Sequence, residues 1–407
     1  MKPFLLTIIF LTWLILFSLS TQATEFSGLD ACSIATSTNF TNICQKKVDP
    51  QAQHKVKNQI KNQIIHLSLT MDSDENLPKD LNSVSFNEKN DQQTVDNLST
   101  ELRAKYLARI EKLILHYFGL NKVQLVDLFN QIKSEIIHAA KRNGINEDVL
   151  IKTANTEIFD FENLNAKSAP RILQACDKDG MGEQAIFLDK IDQNFYILIC
   201  PGELLKAAFA SEYPLKILSF FIGHELGHSL DISKSGLAVF SDYLNCLEKN
   251  YSVEIKSNIS KALELEQFKR SSTTKTLIDF AEKASWIRYY DGVRKSIYEK
   301  NKEIGFSETF RTTFYAYELT ADIFGFFALA NQLEKLNPYE KNIVVDDFVN
   351  YRVCGEEFIG LTHPSSRLRT IVGFQSKLLR DAFRCESNHQ EQNSCNWISQ
   401  NDRSQKN

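Results

Sequence analysis

The sequence predicts an α+β protein that is mostly helical, with one small antiparallel sheet. Only 15 Gly and 8 Pro occur in 407 residues, so residues that break helices are scarce. From Ser99 onward, apolar residues recur mainly at spacings of three and four, which is the period of a helix buried on one side. Two short apolar runs, at 184–188 and 195–200, flank a polar turn and predict a single hairpin.

Composition and charge exclude several classes of protein. Apolar residues make up 43% and charged residues 24% of the chain, which argues against global disorder and against a coiled-coil rod. The 47 Lys and Arg nearly balance the 51 Asp and Glu, for a net charge of −4. Because this balance gives no general attraction to phosphate backbones or acidic lipids, we expect no nucleic-acid partner.

The N-terminus has the pattern of a secretory signal peptide. Residues 4–17 are apolar apart from two Thr, and Thr21 and Ala23 occupy the −3 and −1 positions of a cleavage site. An uncleaved anchor is the alternative, but the apolar run is shorter than the roughly 20 residues that span a bilayer. We expect residues 1–23 to be removed and the mature protein to be secreted or periplasmic without a stable membrane span. Its eight Cys can then form disulfides.

Beyond the signal peptide, the pattern divides the chain into three parts. Residues 24–98 are polar and predict an N-terminal segment or linker, with a loosely held stretch at 68–97. Residues 99–397 form the main domain, which includes a mostly helical, polar-faced insertion at 232–306. Residues 398–407 form a tail, and the oligomeric state is left open.

The helices of the main domain begin and end at characteristic residues. Two helices, at about 99–119 and 123–144, are expected to form an antiparallel pair. The segment 214–230 is apolar on nearly every side, which is typical of a buried helix. Ser307 can cap another apolar helix, and after a loop that begins at Pro338 a last amphipathic helix starts.

The buried helix contains His224, Glu225 and His228 in an HExxH motif. Residues four apart share one helix face, so both imidazoles can bind one metal ion. Glu225 lies beside them, where it can take a proton from a water molecule that zinc activates. Two His and a Glu are costly to bury among Phe and Ile without a partner. This favours a zinc site over ordinary buried residues whose polar groups are hydrogen-bonded within the core.

A catalytic zinc ion needs a third protein ligand and an open fourth position. The metzincin pattern would place a His six residues after His228, but that residue is Lys234. Glu318 and Asp322 instead lie four residues apart, as ExxAD, on the apolar helix that follows Ser307. We predict that Glu318 is the third ligand and that Asp322 accepts the second N–H of a zinc-bound His. Two ordinary exposed carboxylates are the alternative, which the surrounding apolar residues disfavour.

His363 and Arg369 form a third element. Near an open zinc position they can stabilise the oxyanion of a tetrahedral intermediate or bind substrate carbonyls. The residues support a capping turn equally well, because Pro364 is a favourable first helical residue and both basic side chains would then lie at the surface.

In this order, the three elements resemble those of the gluzincin zinc metallopeptidases. The neprilysin-like branch resembles the chain over roughly residues 184–397, including Asp231 after the HExxH motif and a C-terminal ending with two Cys and Trp397. The branch of CAAX prenyl proteases is similar in its HELGH sequence, in Gly325 after ExxAD and in a His-Pro pair. It does not account for the pattern of C-terminal Cys residues. Three positions depart from the neprilysin-like motifs: Gln184, Leu319 and Phe324.

The resemblance implies a zincin-type catalytic lobe in an exported metalloendopeptidase that hydrolyses peptides or proteins, with Zn²⁺ as cofactor. It implies an edge strand at 184–188 that pairs with the substrate backbone. The insertion at 232–306 would then substitute for the family's longer covering domain as a lid. It also implies a disulfide pattern, which joins Cys246 to Cys395, Cys32 to Cys385 and Cys44 to Cys354, and leaves Cys176 with Cys200.

Two other interpretations stay open. One is an exported binding or chaperone-like protein with a structural zinc ion, which four protein ligands would indicate, with Asp231 as a candidate for the fourth. The other is a helical structural protein in which HExxH occurs by chance. A purified protein without zinc would favour that interpretation.

Overall fold

The computed structural model describes residues 50–70, 77–164, 168–177, 179–191, 194–230, 237–272, 277–353, 359–374, 376–383, 395 and 397. These residues are mostly helical, as the sequence predicts. The helices are α1 (Pro50–Thr70), α2 (Glu88–Asp96), α3 (Thr100–Tyr117), α4 (Lys122–Arg142), α5 (Glu147–Ala154), α6 (Ala169–Ala175), α7 (Pro201–Ala210), α8 (Pro214–His228), α9 (Leu237–Asn250), α10 (Ser252–Ser271), α11 (Leu277–Ile304), α12 (Glu308–Arg311), α13 (Tyr315–Leu333), α14 (Pro338–Val353), α15 (Ser366–Phe374) and α16 (Lys377–Phe383).

The described residues form one small sheet of three strands. The strands are β1 (Thr156–Ile158), β2 (Ala185–Ile191) and β3 (Asn194–Ile199), in the order β1-β3-β2. The predicted hairpin is present, because β2 and β3 pair antiparallel. The sheet is mixed rather than antiparallel, because β1 pairs parallel with β3. A strand of three residues is too short to show the alternation by which a strand is recognised in sequence.

Helices α8 and α13 approach each other closely enough that their backbones touch. A Cβ atom added at Gly223 would lie 2.5 Å from the carbonyl oxygen of Phe324, and one added at Gly227 would lie 2.8 Å from Cα of Ala321. On α13, a Cβ at Gly325 would lie 2.9 Å from the carbonyl oxygen of Phe220. Glycine at these positions therefore brings the HExxH and ExxAD sequences face to face.

We expect Gly223→Ala to lower the free energy of unfolding by about 1–3 kcal/mol, because the added methyl group overpacks this helix contact. The matched control is Gly292→Ala in α11, where a Cβ would meet nothing within 4 Å. That change should stabilise the protein by up to about 1 kcal/mol through helix propensity. Urea denaturation measures both variants. Equal stability of the two would contradict the close approach of α8 and α13.

The sequence predicts an N-terminal segment or linker at 24–98, but two helices of that segment pack into the core of the protein. Helix α1 buries Ile64, Ile65 and Leu67 in the main core, and Val95 of α2 is fully buried in the same core. The Nδ1 atom of His66 lies 3.1 Å from the Asp91 carboxylate, which joins the two helices. A few apolar residues within a polar composition make one narrow buried stripe, which the average polarity of the segment hides.

The C-terminal half is also more helical than predicted. The loop expected after Pro338 is helix α14, which begins at that proline and buries Val344, Val345, Phe348 and Val349. Proline is favourable as a first helical residue, and burial overrides the low helix propensity of the valines. The insertion is helical as predicted, in α9, α10 and α11. None of the described helices is long and apolar enough to cross a bilayer.

Two disulfides join distant parts of the described chain. Cys176 is bonded to Cys200, and Cys246 is bonded to Cys395. Both pairs are those implied by the neprilysin-like resemblance, and both fit an extracellular or periplasmic environment, since disulfides persist in oxidising compartments. The signal peptide, the tail at 398–407 and the other implied pairs, Cys32–Cys385 and Cys44–Cys354, lie outside the described residues.

Candidate metal centre

The two histidines of the HExxH motif lie one turn apart on α8 and converge. Their Nε2 atoms are 3.0 Å from each other, so at most one of them carries a proton. His224 is buried, and the ring of Phe220 stacks on it with a centroid distance of 6.0 Å. His228 is partly exposed at the end of the helix. The spacing of four residues thus places both imidazoles on one face, as predicted.

Glu318 on α13 faces both imidazoles. Its Oε2 atom lies 3.5 Å from Nε2 of His224, and its Oε1 atom lies 3.5 Å from Nε2 of His228. The carboxylate is buried, and Oε2 makes only long contacts, with Nε2 of His224 and Nη2 of Arg369 each 3.5 Å away. A buried carboxylate oxygen without a close donor can accept a closer cation.

The dimensions of this group suit a tetrahedral metal ion. Ligand atoms bound at about 2.0–2.1 Å in a tetrahedron are roughly 3.3 Å apart. The two Nε2 atoms of His224 and His228 are 3.0 Å apart, and each lies 3.5 Å from a different oxygen of the Glu318 carboxylate. Two imidazoles and a carboxylate are also ligands that zinc accepts. These three side chains can therefore hold a metal ion.

Glu225 lies at the junction between α8 and the edge strand β2. Its Oε2 atom accepts a hydrogen bond of 2.7 Å from the backbone N–H of Phe187, and its Oε1 atom lies 3.9 Å from Nε2 of His224. One ligand atom from each of His224, Glu225 and His228 lies within 4.8 Å of the others. The backbone of Phe187 thus already binds one oxygen of the Glu225 carboxylate.

Asp322 is buried one turn beyond Glu318 and holds His224 in place. Its Oδ1 atom lies 3.0 Å from Nδ1 of His224, as predicted for a residue that fixes the tautomer of a metal ligand. Both of its oxygens also accept hydrogen bonds of 2.7 Å, one from Nε and one from Nη2 of Arg369. Although burial opposes ionisation, Arg369 and His224 hold the pKa of Asp322 well below its usual range.

Arg369 is buried inside this group of residues. It is only 6% exposed, and its guanidinium makes the paired hydrogen bonds to Asp322. Its Nη2 atom also lies 3.2 Å from Nε2 of His224 and 3.5 Å from Oε2 of Glu318, so it contacts the two predicted metal ligands directly. Its role in binding an oxyanion or a substrate carbonyl stays a prediction.

His363 lies at the open side of the group, on the loop before α15. Its side chain is 46% exposed, and its Nε2 atom lies 3.3 Å from Oε1 of Glu318. Its Nδ1 atom is 2.9 Å from the Thr362 hydroxyl. His363 is thus exposed to solvent and in contact with the buried Glu318 carboxylate.

Burial and close ion pairs shift the pKa values of the site. Burial and the Arg369 charge oppose protonation of His224, but the carboxylates of Asp322 and Glu318 outweigh them and raise its pKa to about 9. Burial raises the pKa of Glu225 to about 7. Burial also opposes ionisation of Glu318, yet the imidazoles around it hold its pKa well below its usual range. The ionised Glu318 carboxylate therefore faces the point where the imidazoles meet.

Comparison with known proteins adds no relative. No protein-family model matches the chain, and no match is found among curated proteins or solved structures. The resemblance to the gluzincins therefore rests on the motifs and on the geometry of the residues that carry them.

Sequence reasoning missed one group in the site, the backbone N–H of Phe187, which positions Glu225. No side-chain pattern could have identified it, since almost every residue carries such a donor. The predicted candidate for a fourth structural ligand, Asp231, lies outside the described residues.

Proposed function

We propose that the protein is an exported zinc metalloendopeptidase. One observation carries the proposal: the HExxH sequence, which begins at His224, and the ExxAD sequence, which begins at Glu318, meet so that the Glu318 carboxylate lies 3.5 Å from both imidazole Nε2 atoms. Separate motifs that occurred by chance would have no reason to converge on one point with ligand spacing. The two disulfides support export to an oxidising compartment.

His224, His228 and Glu318 would hold the zinc ion. When bound, Zn²⁺ acts as a Lewis acid that makes water nucleophilic near neutral pH. Asp322 keeps the His224 ring in its orientation, and Arg369 keeps Asp322 ionised. These buried contacts preorganise the ligands before any substrate binds.

Glu225 is the general base in this proposal. Its carboxylate accepts a proton from the attacking water and then gives it to the leaving amine of the peptide. A carboxyl whose pKa lies near 7 can perform both transfers at neutral pH. His363, on the open side, donates a hydrogen bond to the oxyanion of the tetrahedral intermediate.

The edge strand β2 supplies the substrate platform. Among the residues that the structure describes it pairs only with β3, and the backbone N–H of Phe187 in its middle binds the general base. A peptide that added to the free edge would lie beside Glu225. Main-chain pairing of this kind gives affinity without strong sequence preference, so we propose unstructured peptides or protein segments as the substrate class.

Chelator-sensitive cleavage tests this proposal. The purified mature protein should hydrolyse an unstructured peptide, lose that activity with 1,10-phenanthroline and regain it when zinc is added back. Mass spectrometry of the products identifies the cleaved bonds. A zinc-loaded protein that cleaves no peptide from a diverse library would contradict the proposal.

One contact favours a second candidate, a binding or chaperone-like protein with a structural zinc ion. His363 lies close enough to Glu318 to serve as a fourth protein ligand, which would leave no open position for water.

His363→Ala separates the two candidates. In the peptidase we expect kcat to fall by about 10²–10³-fold while the affinity for zinc stays the same, because the residue binds the oxyanion and is not a zinc ligand. If His363 is a structural ligand, the variant should instead release zinc to a chelator more readily than wild type. Competition with a fluorescent zinc chelator measures the affinity, and peptide cleavage measures kcat.

A further inference from the structure

Asn258 lies on the buried side of α10, in the insertion between the HExxH and ExxAD sequences. It is 9% exposed and lies on the same stripe as Ile255 and Ala262, where the helical period would place another apolar residue. Asparagine is less favourable than Ala or Leu inside a helix, and an amide is costly to bury without hydrogen bonds. The residue therefore needs polar partners.

Both ends of the Asn258 amide have such a partner. Its Nδ2 atom donates a hydrogen bond of 3.0 Å to the carbonyl oxygen of Glu254, one turn earlier on the same helix. Its Oδ1 atom accepts a buried hydrogen bond of 2.8 Å from the backbone N–H of Ser365, which is 107 residues further along the chain. Because the first bond orients the amide, Oδ1 is held towards Ser365.

Ser365 connects the backbone of two predicted site residues. Its Oγ atom accepts a hydrogen bond of 3.1 Å from the N–H of Leu368, and its carbonyl oxygen accepts one of 3.1 Å from the N–H of Arg369. These are the contacts of a residue that caps the start of a helix, here α15. His363 lies two residues before Ser365, and the ring of Pro364 between them restricts the backbone. A fixed Ser365 therefore fixes the backbone that carries His363.

The insertion also holds the other end of the His363 loop. Asn301 of α11 is fully buried, and its Nδ2 atom donates a hydrogen bond of 2.8 Å to the carbonyl oxygen of Thr313. The next residue, Phe314, donates its backbone N–H to the carbonyl oxygen of Leu361 at 2.9 Å. Leu361 precedes His363 by two residues. One asparagine from each of two insertion helices thus constrains one end of this loop.

We infer that Asn258 is a positioning residue of the active site, which holds Ser365 so that His363 stays beside the Glu318 carboxylate. The inference rests on the peptidase function proposed above. The Nε2 atom of His363 lies 3.3 Å from Oε1 of Glu318, yet the side chain is 46% exposed, so packing does not enclose it. The hydrogen bonds from the insertion supply the constraint. Helix α10 then contributes to stabilising the transition state, in addition to covering the cleft.

Asn258→Leu tests the inference in the zinc-loaded protein. Leucine is similar in size and suits the helix, but it cannot accept the hydrogen bond from Ser365. We expect kcat for an unstructured peptide to fall by about 10- to 100-fold, with KM within about twofold of wild type. The reason is that misplacing a group that binds only the transition state leaves substrate binding intact. Asn258→Asp keeps an acceptor, and its charge suits the start of α15, so it should retain most of the activity.

Ile255→Val is the matched control for a general loss of stability. It removes one buried methyl group from the same stripe of α10 and leaves the hydrogen bond to Ser365 in place. Its kcat and KM should equal those of wild type. Unchanged kcat in Asn258→Leu, or an equal loss of kcat in Ile255→Val or in Asn258→Asp, would overturn the inference.

A double-mutant cycle with His363→Ala tests whether Asn258 acts through that histidine. In the His363→Ala background, Asn258→Leu should change kcat by less than about threefold, because the group that it positions is gone. A loss as large as in the wild-type background would overturn the inference.

Hydrogen exchange, measured by mass spectrometry, tests the positioning without cleavage. Backbone amides within 360–365 should exchange at least about tenfold faster in Asn258→Leu than in wild type or Ile255→Val, and equal rates would overturn the inference. If peptides are cleaved with normal kcat by Asn258→Leu, the role of Asn258 is refuted and the peptidase stands. If exchange is faster only in Asn258→Leu but wild type hydrolyses nothing, the peptidase is refuted and the positioning of His363 stands.

Discussion

Glu225→Gln should reduce peptide hydrolysis by about 10²–10⁴-fold, the range that general acid–base catalysis supplies, and leave zinc content unchanged. Glutamine keeps the size of the side chain and an oxygen that can still accept the hydrogen bond from Phe187. It cannot take a proton from water at neutral pH. Peptide cleavage at saturating substrate measures the loss, and metal analysis of the same sample measures zinc.

The matched control is Glu212→Gln, which removes the same charge from an exposed position just before α8. It should leave both activity and zinc content at the wild-type values. Hydrolysis that continues at the wild-type rate in Glu225→Gln would mean that another group is the base. Loss of zinc from Glu225→Gln, but not from the control, would mean that Glu225 is a ligand instead.

Asp322→Asn should lower the free energy of unfolding by about 3–5 kcal/mol and the affinity for zinc by about 10- to 100-fold. The stability effect arises because the buried Arg369 loses the only carboxylate with which it makes a bidentate pair among the described residues. The zinc effect arises because the Nδ1 proton of His224 faces a neutral amide oxygen, which is a weaker acceptor than the carboxylate of Asp322. Urea denaturation of the zinc-free protein and chelator competition measure the two effects separately.

A double-mutant cycle with Arg369→Met shows why Asp322→Asn lowers the free energy of unfolding. It tests whether the cause is the buried charge of Arg369, which loses its carboxylate partner. Once the guanidinium is gone, Asp322→Asn should cost far less than it costs in the wild-type background. The coupling energy between the two sites should therefore be large, on the order of several kcal/mol. Additive effects of the two substitutions would contradict the buried pair.

The parts of the fold that the sequence predicts are those in which one local pattern determines the outcome. The all-round apolar segment at 214–230 becomes buried helix α8, and the two apolar runs become the hairpin of β2 and β3. Strand β1 and helix α1 were missed because tertiary contacts decide them. Neither three residues beside β3 nor one narrow apolar stripe gives a distinct local signal.

In the candidate site, too, the features set by a local sequence pattern were predictable, and those set by tertiary contacts were not. The spacing of four residues within HExxH and within ExxAD predicts which side chains share a face, and the structure brings those faces together. The partner of Arg369 was not predictable, because whether an Arg on a short amphipathic helix is buried depends on where Asp322 lies on another helix. The contact of Phe187 with Glu225 depends equally on packing between distant segments.

The central claim is that His224, His228 and Glu318 together bind one zinc ion. Zinc content of the purified protein after exhaustive dialysis, measured by inductively coupled plasma mass spectrometry, tests it most directly. We expect about one zinc per chain in the wild-type protein and almost none in Glu318→Ala, whereas Glu308→Ala, at an exposed position on α12, should retain it. A folded wild-type protein without zinc, or a Glu318→Ala variant that keeps zinc with unchanged affinity, would contradict the claim.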